Sequence, residues 1–122
     1  MHWEPLTGPA QLDTIDAASQ KGPVLIFKHS TRCGISSTAL DRLERGRSDK
    51  DDAHYPAFFL DLLRYREVSN MVAERYGARH ESPQVLIIRH GRCVHHASHL
   101  EIDRVRTWEA LMTADREQVD PR

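Results

Sequence analysis

The chain has 122 residues, of which 39% are hydrophobic, and this length and composition fit one compact domain with its own core. A formal net charge of −1 gives no overall attraction to nucleic acid or to an acidic membrane surface, so we expect neither as a partner. The longest aliphatic or aromatic runs have four residues, far short of the ~20 that a membrane-spanning helix needs. The N-terminus lacks the basic region and apolar core of a secretory signal. We therefore expect a cytoplasmic protein whose two cysteines are reduced at rest.

The first half of the chain alternates between helix and strand patterns. Apolar residues at helical spacing predict a first helix over residues 11–19, and a short β-prone run predicts a strand over 24–27. A second helix is predicted over residues 35–45, and a glycine at position 46 ends it.

The second half repeats the alternation and then adds a hairpin. It predicts a strand over residues 55–60, a helix over 67–76, a hairpin of strands 84–89 and 93–98, and a last helix over 102–112. This order predicts an α/β, thioredoxin-like fold with a central four-stranded mixed β-sheet flanked by helices, because parallel crossovers cover both faces. We assign residues 1–113 to this domain and 114–122 to a polar C-terminal tail.

A cysteine lies between the first predicted strand and the second predicted helix. At a helix start, unpaired N–H groups and a partial positive charge stabilise the reactive thiolate of a residue such as Cys33. The motif Cys33-Gly34-Ile35-Ser36 is a Cys-x-x-Cys redox motif with serine in place of the second cysteine. Ser36 forms no disulfide, although its O–H can donate to the Cys33 sulfur. The motif therefore predicts one-thiol chemistry, in which a thiol from solution resolves a mixed disulfide on Cys33. The alternative is a small buried cysteine without chemical function.

Polar residues around the cysteine have two interpretations. Arg32 and Lys28 could lower the pKa of the cysteine or hold a substrate carboxylate, or they could be solvated loop charges. His29 could act as a nearby acid or base, although an exposed loop histidine is the simpler interpretation.

A proline heads the third predicted strand. In thioredoxin-like folds the matching proline is cis and faces the active cysteine, so we predict a cis Ser82–Pro83 bond. The backbone N–H and C=O of Ser82 would then be free to pair with an extended substrate. The alternative is a trans proline that starts an edge strand.

The second cysteine lies on the second hairpin strand. Alternation predicts that Cys93 and His95 share a face, and His96 and His99 add residue types that bind metals. Their spacing matches no zinc signature, so we predict no metal site and a small apolar role for Cys93, with a second redox cysteine as the next interpretation. We expect the predicted strand to lie too far from Cys33 for direct pairing.

Four segments resemble the monothiol bacilliredoxin family, thioredoxin-like bacterial proteins that use the small thiol bacillithiol. The segments are FKHSTRCGIS (27–36), LDLLRYR (60–66), RHESPQV (79–85) and HASH (96–99). The resemblance implies that Cys33, assisted by Ser36, removes bacillithiol from protein mixed disulfides, with bacillithiol or another small thiol as co-substrate and no tightly bound cofactor. S-thiolated client proteins would be the partners of a monomer or homodimer. The expected substrate-binding residues are Thr31, Arg32, Gly34, Ser82 and Pro83.

One residue departs from the family pattern. The family usually has proline where this chain has Gly34, and the glycine makes the motif similar to the Cys-Gly-Phe-Ser of monothiol glutaredoxins. That similarity keeps open an alternative function, a homodimer that holds an iron–sulfur cluster between Cys33 and a recruited thiol. A third alternative is a thioredoxin-fold adaptor that binds proteins beside Pro83 without turnover.

Overall fold

The computed structural model describes residues 3–30, 34–44 and 55–116. The strands are β1 (Trp3–Pro5), β2 (Val24–His29), β3 (Ala57–Asp61), β4 (Gln84–Arg89) and β5 (Arg92–Ser98). The helices are α1 (Ala10–Ala18), α2 (Gly34–Glu44), α3 (Arg66–Tyr76) and α4 (Arg104–Arg116), and a 3₁₀ helix spans His99–Glu101.

The strands form one mixed sheet in the order β1-β3-β2-β4-β5. β1 and β2 run parallel to β3, whereas β4 is antiparallel to both β2 and β5. Every residue of β2 and of β4 is buried, because both strands lie inside the sheet and helices cover its two faces. The predicted α/β, thioredoxin-like architecture is confirmed.

The sheet has five strands and not the predicted four. The additional strand, β1, has only three residues and pairs with the edge of β3, so its sequence is too short to show an alternating pattern. Trp3 fixes this strand: its indole N–H donates to Glu44 Oε1 at 2.6 Å, and its ring lies 5.8 Å from that of Phe27.

The side chains of β2 divide the core into two layers. Val24 and Ile26 pack with residues of α1 and α3, whereas Leu25 and Phe27 pack with residues of α2 and α4. The last two residues of β2 continue the alternation: the Lys28 side chain contacts α3, and the His29 side chain contacts α2. Two polar side chains therefore leave the same strand end in opposite directions.

The last helix extends past the predicted domain boundary at residue 113. It ends at Arg116, and Ala114 is buried in the layer formed with α2. The helix thus continues into the predicted tail because one of its residues still packs on the core. Residues 117–122 lie outside the described part of the chain, and their assignment to a tail stays a prediction. None of the helices in the described ranges has the length and hydropathy needed to cross a bilayer.

A β-bulge overturns the prediction that Cys93 and His95 share a face. Cys93 pairs with Ile88 and His95 pairs with Ile87, so one extra residue stands between the two pairs. Adjacent residues of β4 point to opposite faces, and Cys93 packs on the layer that contains α1 and α3. Within the described ranges, no group of three or more residues with metal-binding side chains is found.

Candidate functional site

The candidate site is formed by the end of β2, the start of α2 and the segment that precedes β4. Of the residues predicted for it, Thr31, Arg32 and Cys33 lie outside the described residues. Ser36, Gly34, Ser82 and Pro83 are described. The surroundings of the motif can therefore be built from the residues on both sides of it.

Ser36 connects the first turn of α2 to the end of β2. Its side chain is fully buried, its Oγ accepts the backbone N–H of Ser30 at 3.0 Å, and the same atom lies 2.7 Å from His29 Nδ1. The direction of the Ser36 O–H depends on the histidine tautomer. If His29 Nδ1 carries a proton, it donates to Ser36 Oγ and leaves the hydroxyl hydrogen available for another acceptor. The predicted donation from Ser36 to Cys33 remains a prediction.

His29 is buried and not the exposed loop residue that the simpler interpretation expects. Its ring lies 5.7 Å from the ring of Phe27 and 5.1 Å from that of Phe59. Burial lowers the pKa of His29, and the charge of the facing Asp61 acts in the opposite direction. We infer that His29 is neutral at pH 7 and makes its hydrogen bond to Ser36 in that form.

Lys28 is also buried, which overturns its interpretation as a solvated cation or as a ligand for a substrate carboxylate. Its predicted effect on the pKa of Cys33 stays a prediction, because Cys33 lies outside the described residues. Its exposed fraction is 0%, and its Nζ donates to the Ser69 carbonyl at 3.2 Å and lies 3.3 Å from His80 Nδ1. Burial lowers the pKa of Lys28 from 10.5 to about 8. A side chain enclosed in this way does not reach a ligand in solvent.

The segment before β4 is fixed at its far end by β5. The Ser82–Pro83 peptide bond is cis, the isomer expected from the sequence. The Pro83 carbonyl accepts the backbone N–H of His99 at 3.1 Å, and the Ser98 hydroxyl donates to Glu81 Oε2. This hydrogen bond is the largest of the effects that lower the pKa of Glu81. The segment therefore keeps a defined position next to the 3₁₀ helix.

A groove of about 510 Å³ runs from the start of α2 to the 3₁₀ helix. Two of its residues are exposed apolar side chains, Ile35 at 54% and Leu100 at 75%. The sequence analysis missed Leu100, because only the return of the hairpin places the 3₁₀ helix beside α2. The groove is lined by Gly34, Ile35, Thr38, Ala39, Arg42, His99 and Leu100.

Replacing Ser36 with alanine should lower the free energy of unfolding by about 1–3 kcal/mol, because the half-buried Ser30 N–H and the buried His29 Nδ1 would lose their partner. Urea denaturation would measure the change. Ser37→Ala is the matched control, since Ser37 is the next residue of α2 and is exposed. A Ser36→Ala protein as stable as Ser37→Ala would contradict this account of the Ser36 hydroxyl.

Replacing Gly34 with alanine should raise the free energy of unfolding by about 0.5–1 kcal/mol, because alanine favours helix over glycine. A Cβ at this first residue of α2 meets no heavy atom of the described residues within 4 Å. Gly77→Ala is the opposite control, since Gly77 ends α3 with φ +64°, where a side chain is strained. Thermal denaturation should show a higher Tm for the first variant and a lower Tm for the second. Equal Tm shifts in the two variants would show that the backbone conformation of the glycine is not the cause.

Comparisons with known proteins agree with this geometry. The family model described as monothiol bacilliredoxin BrxC matches residues 4–106. Among solved structures, a candidate oxidoreductase with a thioredoxin fold is 25% identical, covers 87% of this chain and 90% of its own, and has a TM-score of 0.74.

Thioredoxins resemble the chain in fold alone. Fasciola hepatica thioredoxin is 14% identical with a TM-score of 0.69, and the match covers 91% of this chain and 98% of that one. Trypanosoma brucei brucei thioredoxin is 12% identical with a TM-score of 0.72, covering 95% and 93%. The family match and the 25% identical oxidoreductase-like structure support a thiol oxidoreductase-like role. Because the family match spans the sheet and the candidate site, the chain belongs to the monothiol bacilliredoxin family.

Proposed function

We propose that the protein is a monothiol thiol–disulfide oxidoreductase that removes bacillithiol from mixed disulfides of client proteins. The observation that carries the proposal is the motif Cys33-Gly34-Ile35-Ser36 at the start of α2, whose fourth residue is a buried, hydrogen-bonded serine. A hydroxyl at this position leaves the motif with one thiol. The family match supports the choice of bacillithiol.

The reaction consists of two exchanges. The Cys33 thiolate attacks the bacillithiol sulfur of the client mixed disulfide; a Cys33–bacillithiol disulfide forms, and the client sulfur leaves as a thiolate that takes a proton. A second bacillithiol thiolate then attacks the bacillithiol sulfur bound to Cys33. This step releases the Cys33 thiolate and bacillithiol disulfide. Over the cycle the client sulfur is reduced to a thiol and the bacillithiol from solution is oxidised, while the bacillithiol taken from the client stays at the disulfide level.

The start of α2 favours this chemistry. The first backbone N–H groups of a helix have no partner within the helix, and the helix dipole places a partial positive charge there. Cys33 immediately precedes Gly34, the first residue of α2. A thiolate is better stabilised beside such a helix start than in water, so attack occurs at neutral pH. Ser36 would assist through its hydroxyl hydrogen when His29 Nδ1 donates to Ser36 Oγ.

Client binding would use the segment before β4 and the groove beside α2. Within the described residues, no backbone hydrogen bond occupies the N–H or the C=O of Ser82. An extended client strand could pair with both groups. The exposed side chains of Ile35 and Leu100 could receive an apolar residue next to the client cysteine. The proposed substrate-binding residues are Thr31, Arg32, Gly34, Ser82 and Pro83.

Bacillithiol serves as co-substrate and no tightly bound cofactor takes part, while S-thiolated proteins are the partners. We propose that the exchange takes place in the cytoplasm, where small thiols keep cysteines reduced. Nucleic acid and membranes have no role in it, and the protein acts as a monomer or homodimer.

The proposal is tested by following the release of small thiol from a client protein. A client carrying one bacillithiol on its cysteine is mixed with the protein and excess bacillithiol, and the free client thiol is measured with time. The same client carrying glutathione is the control. We expect faster release from the bacillithiolated client. Release from neither client would overturn the proposed function, and faster release of glutathione would overturn the choice of bacillithiol.

A further inference from the structure

A buried lysine on β2 contacts the segment that precedes β4. The 79–83 segment, residues Arg79 to Pro83, carries the Ser82 backbone that the proposed function assigns to client binding. We propose that Lys28 is a positioning residue, which holds the 79–83 segment through His80 and so places Ser82 for the client strand. This inference rests on the proposed function for its consequence, although its structural part can be tested without it.

The Lys28 amine contacts both helix α3 and the 79–83 segment. Lys28 has an exposed fraction of 0%, and its Nζ contacts the Ser69 carbonyl at 3.2 Å and His80 Nδ1 at 3.3 Å. The Ser69 hydroxyl lies 3.3 Å from the same His80 atom. Lys28 thus connects the sheet, helix α3 and the 79–83 segment at one point.

Gln84 is a second buried side chain that contacts the same segment, at Arg79, the residue before His80. Gln84 pairs with Lys28 across β2 and β4, and it is fully buried. Its Nε2–H donates to the Arg79 carbonyl at 2.9 Å. Two neighbouring polar side chains of the sheet therefore hold Arg79 and His80 in succession, and the His99 N–H of the 3₁₀ helix holds the end of the segment at Pro83.

Stability alone does not explain a lysine at position 28. Val24 and Ile26 occupy the same face of β2 and are buried apolar residues of the core. An apolar residue at position 28 would avoid the cost of burying an ammonium group, because replacing buried charges by apolar side chains is often neutral or stabilising. A role for Lys28 beyond stability is therefore favoured, and among the described residues the Lys28 amine contacts the 79–83 segment through His80.

The contact also makes the position of the segment depend on pH. His80 Nδ1 accepts from the ammonium only when the ring is neutral. Although His80 is an exposed residue, the partial burial of its ring and the charges of Lys28 and Arg66 lower its pKa, with Glu81 acting in the opposite direction. Lys28 itself loses its proton near pH 8, since burial lowers its pKa to about 8. A neutral amine is a weaker donor than an ammonium, so the segment is held less firmly above that pH.

The test compares Lys28→Met with Ile26→Met. Methionine keeps a long apolar side chain at position 28 and removes the amine, while Ile26→Met changes the same face of the same strand without touching a polar contact. Client turnover at pH 7 is measured for both, and the Ser82 carbonyl carbon is followed by carbon-detected NMR from pH 6 to 10. His80→Ala removes the other partner and serves as the second variant.

We expect Lys28→Met to raise KM for the client by roughly tenfold with kcat changed less than about twofold, as the loss of one charged hydrogen bond would do. The Ser82 carbonyl carbon shift should titrate near pH 8 in the wild type and in Ile26→Met, and not in Lys28→Met. His80→Ala should show the same KM change, and the double variant should add little.

An unchanged KM together with an unchanged Ser82 titration in Lys28→Met would overturn the inference. If the wild type shows no turnover, the proposed function fails, and the Ser82 titration alone decides the positioning role.

Discussion

Replacing Cys33 with serine should slow the release of bacillithiol from client proteins by at least roughly a thousandfold. The exchange needs a thiolate at this position, and a serine hydroxyl is neither ionised at neutral pH nor able to form a disulfide. The measurement is the appearance of free client thiol under multiple turnover. The hydroxyl of Ser36 cannot compensate, since it lacks the sulfur and is already bound to His29 and Ser30.

Cys93→Ser is the matched control for this prediction and should turn over at the wild-type rate. Cys93 lies on β5, packs on the α1 and α3 layer of the core, and has its pKa raised by burial, so it is a poor nucleophile. Turnover that survives in Cys33→Ser, or is lost in Cys93→Ser, would contradict the one-thiol mechanism. Client binding that is unchanged in Cys33→Ser, together with no turnover in the wild type, would favour the adaptor alternative.

Replacing Lys28 with methionine should stabilise the protein at pH 7 by up to about 3 kcal/mol. Burial lowers the pKa of Lys28 from 10.5 to about 8, and each unit of such a shift is worth about 1.4 kcal/mol. The lost hydrogen bonds to Ser69 and His80 reduce the gain, so ~1–3 kcal/mol is the expected range. Urea denaturation measures it.

The stability of the wild type should depend on pH, because folding lowers the pKa of Lys28. The unfolded lysine keeps its proton up to about pH 10.5, whereas the folded lysine loses it near pH 8. The cost of burying the charge is fully present below pH 8 and disappears as the pH rises to 10.5, so the wild type gains stability over that range. The advantage of Lys28→Met should therefore shrink between pH 8 and 10.5. A difference that stays constant with pH would show that the buried charge is not its cause.

The sequence predicts the elements with strong apolar patterns and misses those that depend on distant pairing. β2 and β4 each contain a continuous run of four apolar residues, and their place inside the sheet follows from that pattern. β1 was missed because three residues show no period. The bulge beside Cys93 was missed because a single extra residue leaves no signature in an alternating sequence.

The sequence contains a signal for the burial of the polar residues at the end of β2. Lys28 and His29 look like loop residues because they adjoin the polar motif. However, Lys28 continues the alternation of Val24 and Ile26 in a strand covered on both faces, which predicts burial. Their partners Ser69, His80 and Ser36 come from other elements, so only the folded chain could identify them.

The measurement that tests one-thiol exchange most directly is the intact mass of the protein after exposure to bacillithiol disulfide. Wild type and Cys93→Ser should each gain one bacillithiol, and Cys33→Ser should gain none. Peptide mapping of the wild type should place the adduct on Cys33. An unmodified Cys33, an adduct on Cys93, or a disulfide between the two cysteines would contradict the account.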